Sequence, residues 1–227
     1  MTPTYEIDNF QFFNADNMKI MAQYPDKFFQ LAICDPPYGI KRDSGFGGFG
    51  GFGEPIARKQ YKGKWDDKTP TQEYFNEILR ISENVIIWGG NFFTDKLPVS
   101  GHWIFWDKLN TMPTFGDGEL AYTSFKRNSV KRIVIEYNGL LGKEKENRIH
   151  ATQKPIKLYE WLLMNYAKPN DKIIDTHLGS NSIGIAIDKA NQHDKKNLSF
   201  VGIELDEDYF NAGIDRFKNH KKQLTIF

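Results

Sequence analysis

A single cysteine, Cys34, stands among 227 residues, so an internal disulfide and a cysteine-based zinc cluster are both excluded. The five histidines are scattered and lack metal-ligand spacing, which gives no reason to expect a metal. No apolar run reaches the roughly 18 residues that a membrane-spanning helix needs, and no secretory signal opens the sequence. A soluble, intracellular protein with no membrane partner is therefore expected. A surplus of one charge is also missing. The net formal charge of +1 argues against a polybasic coat, though not against a local basic face.

Aromatic residues, in contrast, make up 15% of the chain, with 18 Phe, 10 Tyr and 5 Trp. Such rings can stack on bases and can equally fill a core. With hydrophobic residues at 40%, the length suits one α/β domain.

The chain is organised around Asp35-Pro36-Pro37-Tyr38-Gly39. This stretch follows an apolar run, residues 29–34, that reads as a buried strand with Cys34 as a core filler. Two prolines cannot continue a hydrogen-bonded ladder, so the chain must leave the sheet there. A carboxylate, a rigid turn and an aromatic ring then stand at the C-terminal edge of a strand, where open α/β sheets bind ligands.

Upstream, residues 5–13 read as a strand ending in Asn14-Ala15-Asp16, and Met18, Ile20, Met21 and Tyr24 suggest a short helix closed by Pro25. Downstream, residues 45–53 are a run of Gly with Phe at every third position, which reads as a mobile loop; its stem carries Arg58, Lys59, Lys62 and Lys64. Thr69-Pro70-Thr71-Gln72 has the form of a helix start, with Thr69 as cap and Gln72 completing a capping box, and the helix runs to about residue 83. Strands are expected at 85–88, 102–107, 119–125 and, as an edge strand, 131–137. Pro155 should open a helix that places Leu158, Trp161, Leu162 and Tyr166 on one face.

The last third reads as strand, tight turn, helix, strand, acidic residue, the layout of a nucleotide-binding unit. The strand 171–174 ends in Asp175-Thr176-His177-Leu178-Gly179-Ser180-Asn181-Ser182. An amphipathic helix follows with Ile183, Ala186, Ile187 and Ala190 inward, then a strand over 198–203 that ends at Glu204. Gly179 lets the backbone pass close to a ligand, and Glu204 can accept both hydroxyls of a ribose. Asp175 suits a positive ligand group. Asp206 caps a final helix carrying Phe210, Ile214 and Phe217.

Taken together, these segments resemble the DNA amino-methyltransferases. Asp35-Pro36-Pro37-Tyr38 is similar to that family's catalytic motif. Residues 150–186 are similar to its pattern H-P-T-Q-K-P, helix, D-P-F-x-G-S-G-T. Val201-Gly202-Ile203-Glu204 through Tyr209 is similar to its G-I-E segment, and Asn14-Ala15-Asp16 to its usual N-terminal segment. The catalytic motif precedes the cofactor motif, as in the circularly permuted β group. The resemblance covers roughly residues 5–40 and 150–217. Thr176 and His177 stand where the family has P-F, Asn181 stands for its second glycine, and Ala151 for a proline. Asn tolerates left-handed backbone better than most residues, so Asn181 is a plausible stand-in.

The resemblance implies a single class I methyltransferase domain over residues 1–227. Its sheet would have about seven strands, mostly parallel with one antiparallel hairpin, and helices on both faces. It implies S-adenosylmethionine as cofactor, held by Asp16, Asp35, Thr152, Gln153, Lys154, Asp175, His177, Gly179, Ser180, Asn181 and Glu204. It implies DNA as partner and adenine N6 as the methylated atom, with Asp35, Pro36, Pro37 and Tyr38 as the catalytic residues. The alternatives are cytosine N4 in DNA, adenine in RNA, and a catalytically silent DNA-binding relative. Target recognition would fall to 41–68 and 108–149, with Arg58, Lys59, Lys62, Lys126, Arg127, Lys131 and Arg132 meeting phosphates. A bacterial or phage-like cytoplasmic enzyme, monomeric or homodimeric, is expected.

Overall fold

Successive side chains of the central strands point to opposite sides, and both sets are apolar, so one sheet carries a core on each face. The computed structural model describes residues 1–40, 69–109, 116–136, 149 and 153–224. The elements in chain order are β1 (Tyr5–Ile7), β2 (Phe10–Asn14), α1 (Asn17–Met21), β3 (Phe29–Cys34), α2 (Gln72–Ile81) and β4 (Ser82–Trp88). A short 3₁₀ turn, Gly90–Phe92, leads to β5 (His102–Asp107), β6 (Gly118–Thr123) and β7 (Ser129–Val134). The chain closes with α3 (Ile156–Tyr166), β8 (Lys172–Asp175), α4 (Ser182–His193), β9 (Ser199–Glu204) and α5 (Glu207–Leu224).

The strands form one sheet in the order β1-β2-β9-β8-β3-β4-β6-β5-β7. On one side Leu31, Ile33, Ile86, Trp88, Ile173 and Phe200 pack with Leu158 and Leu162 of α3, Ile183 and Ile187 of α4, and Phe217 of α5. On the other Ala32, Cys34, Val85, Ile87, Ile174 and Val201 pack with Ile20 and Met21 of α1 and Phe75 and Ile78 of α2. Cys34 is a free, buried thiol within this second layer.

The sheet has nine strands among the described residues rather than about seven. The stretch 5–13 is two strands, because Asp8 adopts a left-handed φ of 51° and turns β1 back against β2. Strand β6 runs antiparallel to both β4 and β5, whereas β2, β9, β8, β3 and β4 run parallel. Helix α2 starts two residues later than a Thr69 cap implies. Thr71 is its N-cap residue, and the Thr69 hydroxyl instead accepts from Lys96 Nζ at 3.2 Å. Helix α4 is not amphipathic over its first two turns: Gly184, Ile185 and Asp188 are buried along with Ile183 and Ile187. It is sandwiched by the sheet, α3 and α5, so no face there meets water. The Gly/Phe run at 45–53 and the basic stem after it lie outside the described residues.

The topology fixes where a ligand can enter. From β8 the chain crosses through α4 to β9 on one side; from β3 it crosses through α2 to β4 on the other. Strands β8 and β3 are neighbours, so the two crossovers diverge and leave a crevice at their C-terminal ends. The turn that closes this crevice is packed under α5 at Gly213, where a Cβ would lie 2.8 Å from the Gly179 carbonyl oxygen.

Gly213→Ala should therefore push α5 off the 179–181 turn, at the cost of about 1–3 kcal/mol typical of overpacking. Thermal unfolding is the readout. A variant that melts with the parent would mean that α5 shifts freely over the turn.

Candidate active site

Four strand ends supply the crevice. Ala15, Asp16 and Asn17 follow β2; Asp35 and Pro37 follow β3; residues 176–180 follow β8; Glu204, Leu205 and Asp206 end or follow β9. Gln153, Lys154, Tyr159 and Tyr209 complete a cavity of about 610 Å³. The structure thus brings together Asp16, Asp35, Gln153, Lys154, His177, Gly179, Ser180 and Glu204 from separate stretches of sequence. Thr152, Arg58, Lys59 and Lys62 lie outside the described residues.

Each contributor is held by local chemistry. Asp16 is the N-cap of α1, its Oδ1 accepting from the N–H of Met18 at 2.8 Å and of Lys19 at 3.3 Å. Gly179 is left-handed at φ 50°, and Asn181 is left-handed at φ 57° and fully buried. Asn thus occupies a conformation that glycine adopts more cheaply. Its side chain fills the space above Gly184, where a Cβ would meet Asn181 Oδ1 at 2.1 Å. Asn181 does not line the cavity; it shapes the turn from behind.

Glu204 is anchored twice, accepting from the N–H of Gly179 at 2.8 Å and of Asp206 at 3.0 Å. Burial raises its pKa, and those two backbone donors counter the rise. A carboxylate has about four lone-pair directions, so two remain for a ligand. Glu204 also ties β9 to the Gly179 turn, a structural duty that its place in the sequence does not announce.

Asp175 differs from its expected place. It is 2% exposed and sits behind the cavity wall rather than in it, accepting from the His177 N–H at 2.9 Å. Burial pushes its carboxyl up to about 8, and the nearby Asp35 and Glu204 charges push the same way. His177, in the family's Phe position, is half-buried in the wall. Asn17 Nδ2 lies 3.3 Å from its Nε2, and Thr176 Oγ1 lies 3.0 Å from its Nδ1. Thr176 in turn meets the Tyr74 hydroxyl at 2.7 Å. Burial lowers the His177 pKa to about 4, so the ring is neutral at physiological pH.

At the β3 end, Asp35 has both oxygens engaged. The Tyr38 hydroxyl donates to Oδ1 at 2.6 Å, and the Lys154 ammonium pairs with Oδ2. Pro36 is buried; Tyr38 stacks on Phe92, with ring centroids 4.9 Å apart and 15° between planes. Gly89 is required here, because a Cβ would come within 2.2 Å of Tyr38 Cε1. Lys154 is only 4% exposed and has a second anion, Glu119 of β6, at 3.2 Å. Glu119 pairs in turn with Lys108. Burial alone would raise the Glu119 pKa, but the Lys154 and Lys108 charges hold it well below the usual carboxylate range. Burial likewise opposes the Lys154 charge, and Asp35 and Glu119 together keep it above the ordinary lysine value.

Sequence reasoning missed Glu119, Lys108, Phe92, Tyr159 and Asn17, none of which sits at a recognised motif position. The proposed phosphate contacts separate. Strand β7 is parallel to β5, which matches β4 in direction, so Lys126 and Arg127 precede β7 at the sheet edge away from the cavity. A strand of this length spans roughly 20 Å. The Arg127 guanidinium lies over Phe125 and Tyr166 rather than near the crevice. Lys131 and Arg132 are exposed on the edge strand, and Arg132 pairs with Asp107 at 2.6 Å.

The cavity can hold a cationic, nucleoside-bearing ligand. Glu204 is the anchored acceptor suited to a ribose diol, and Asp16, Asp35 and Asp206 leave Lys154 as the one cationic side chain among the lining residues. Among the described residues, no group of His, Cys, Asp or Glu is placed to hold a metal.

A family model described as DNA methylase matches residues 87–215. The Type II methyltransferase M2.LlaDCHI of Lactococcus lactis subsp. cremoris is 23% identical over 249 aligned positions, covering 91% of this chain and 88% of that protein. Among solved structures, the M1.HpyAVI–SAM complex aligns at a TM-score of 0.57 and 20% identity, covering 92% of this chain and 98% of that one. The cytosine-N4-specific PvuII DNA methyltransferase aligns at a TM-score of 0.61 and 13% identity, covering 97% and 93%. These two show that the fold is that of class I methyltransferases.

The raised Asp175 pKa carries a stability prediction. Between the unfolded carboxyl value near 4 and the folded value of about 8, the folded chain holds a proton that the unfolded chain has released. Stability is therefore lost as pH rises across that window. Asp175→Asn cannot ionise and can still accept from His177, so its melting temperature should gain on the parent from pH 4 to pH 8. A constant difference between the two across that range would mean that Asp175 is ionised in the folded protein.

Proposed function

The chain belongs to the N6/N4 DNA methylase family, and on that premise we propose that it methylates N6 of adenine in DNA. The observation that carries this reading is Asp35 at the crevice, gripped by Tyr38 and Lys154 and opening onto the acid-rich cavity. S-adenosylmethionine, the family's cofactor, supplies an activated methyl group whose bonding pair stays with sulfur as the methyl leaves. The residues that would hold it are Glu204, for the ribose, Asp16 and Asp35, for the positive end, and His177.

The chain's own residues then act on the base. An aromatic amine is a poor nucleophile because its lone pair is delocalised into the ring. Asp35 and the Pro36 carbonyl accept its two N–H groups and favour a pyramidal nitrogen, which frees the lone pair. Positive charge develops on that nitrogen as it gains the methyl, and the Asp35 carboxylate is already in place to stabilise it. One of the two amine protons must then leave, and Asp35 is the acceptor at hand. Tyr38 offers a ring on which the extruded base can stack. In the family, Asp at the first motif position goes mostly with adenine, which favours adenine over cytosine N4. The PvuII likeness keeps cytosine N4 as the second reading.

The test is nucleoside analysis of DNA and RNA treated with the protein and S-adenosylmethionine. N6-methyladenine in DNA is expected; N4-methylcytosine, or methylation of RNA alone, would replace the reading. Asp35→Ala, shown by melting to be folded, should lose about 10²–10³ in single-turnover rate. A rate within a few-fold of the parent would overturn the role of Asp35. Glu204→Gln, which keeps one acceptor oxygen for the backbone, should weaken cofactor binding about tenfold by calorimetry, as befits loss of a charge-assisted hydrogen bond. Unchanged affinity would place the ribose elsewhere.

A further inference from the structure

We propose that Glu119 is a positioning residue for methyl transfer: it shares the Lys154 ammonium with Asp35, so that Lys154 aims Asp35 without cancelling its charge. The inference rests on the methyl-transfer reading above. Glu119 lies outside every motif in the sequence, and it reaches the site through topology. Strand β6 runs against β4 and β5, so its beginning lies at the edge where those strands end. Glu119 is the second residue of β6, paired with Trp106, and its side chain enters the crevice region from that end.

The geometry is an alternating row of charges. Asp35 Oδ2 meets Lys154 Nζ, Lys154 Nζ lies 3.2 Å from Glu119 Oε2, and Glu119 Oε1 meets Lys108 Nζ. Lys154 also lies 5.5 Å from the Trp88 ring and 5.8 Å from the Tyr38 ring. With Asp35 as its only anion, the buried ammonium would form a closed, neutral pair. Such a pair is a weak acceptor toward an amine that is becoming cationic. A second anion on Lys154 divides the ammonium between two carboxylates, so Asp35 is less fully neutralised than in a closed pair, and Lys108 keeps that second anion from being an uncompensated buried charge. The titratable groups around Lys154 are Asp35, Tyr38 and Glu119 by contact, and Lys108, Tyr159 and Asp175 at longer range.

Glu119→Gln keeps shape and removes the charge. Single-turnover methylation at saturating cofactor and DNA should fall about tenfold or more near neutral pH, as expected when a preorganised charge is disturbed. Cofactor affinity should stay within a few-fold, since Glu119 does not line the cavity. The rate should become pH-dependent as pH rises toward 10, where the parent holds steady, because Lys154 with one counter-charge fewer releases its proton sooner. Glu119→Asp should restore much of the parent pH profile. In an Asp35→Asn background, Glu119→Gln should cost little more, because the charge that it protects is gone. A Glu119→Gln variant as fast and as pH-independent as the parent would overturn the inference. So would a loss that multiplies in full with Asp35→Asn. Should Glu119→Gln fail to fold, Glu119→Gln with Lys154→Met leaves neither Lys154 nor position 119 charged, and it should be no slower than Lys154→Met alone; a further loss overturns the inference. A parent that methylates no DNA overturns the functional reading itself, and this inference with it.

Discussion

Lys154 must find compensation for a charge that is only 4% exposed, and the crevice is built around that need. An ammonium with both partners removed would be an uncompensated buried charge, worth several kcal/mol of destabilisation. The cluster draws on three distant stretches of chain: Asp35 after β3, Glu119 at the start of β6, and the backbone run into α3 that carries Lys154 itself. The pairing therefore fixes how the parallel and antiparallel parts of the sheet meet. It also fixes the Asp35 carboxylate, whose other oxygen is held by Tyr38.

The rest of the cavity follows the same electrostatic logic with the sign reversed. Asp16, Asp35, Glu204 and Asp206 line it, and Asp175 lies just behind. Burial pushes the Asp175 carboxyl up to about 8, and the nearby Asp35 and Glu204 charges add to the rise. A cationic ligand relieves the strain by favouring the ionised forms. Backbone N–H donors at Glu204 and Asp175 supply part of the same relief from within the chain.

Two departures from the family pattern have local physical explanations. Asn181, standing for the family's second glycine, adopts a left-handed backbone, and Gly184 and Gly213 leave room for its side chain. Thr176 and His177 exchange an apolar pair for a hydrogen-bonded row that runs from Tyr74 through Thr176 to His177 and Asn17. A buried polar row is tolerated only when its members are partnered, and these are.

The sequence by itself determined the local elements and the motif positions. Apolar alternation and turn residues marked β3, β5, α3 and the β8–α4–β9 unit, because those signals depend only on neighbours a few residues apart. Asp35 and Glu204 were legible for the same reason, as acidic residues at strand ends. Tertiary structure alone decided the split of residues 5–13 into β1 and β2, the burial of α4 on all sides, and the withdrawal of Asp175 behind the wall. It alone put Lys126 and Arg127 at the far sheet edge and Glu119 beside Lys154. Each of these turns on which strand lies next to which and in what direction, and no periodicity within a segment encodes that. Strand β6 is the plainest case: reversing one strand brings its first residues, rather than its last, to the edge where the chemistry is.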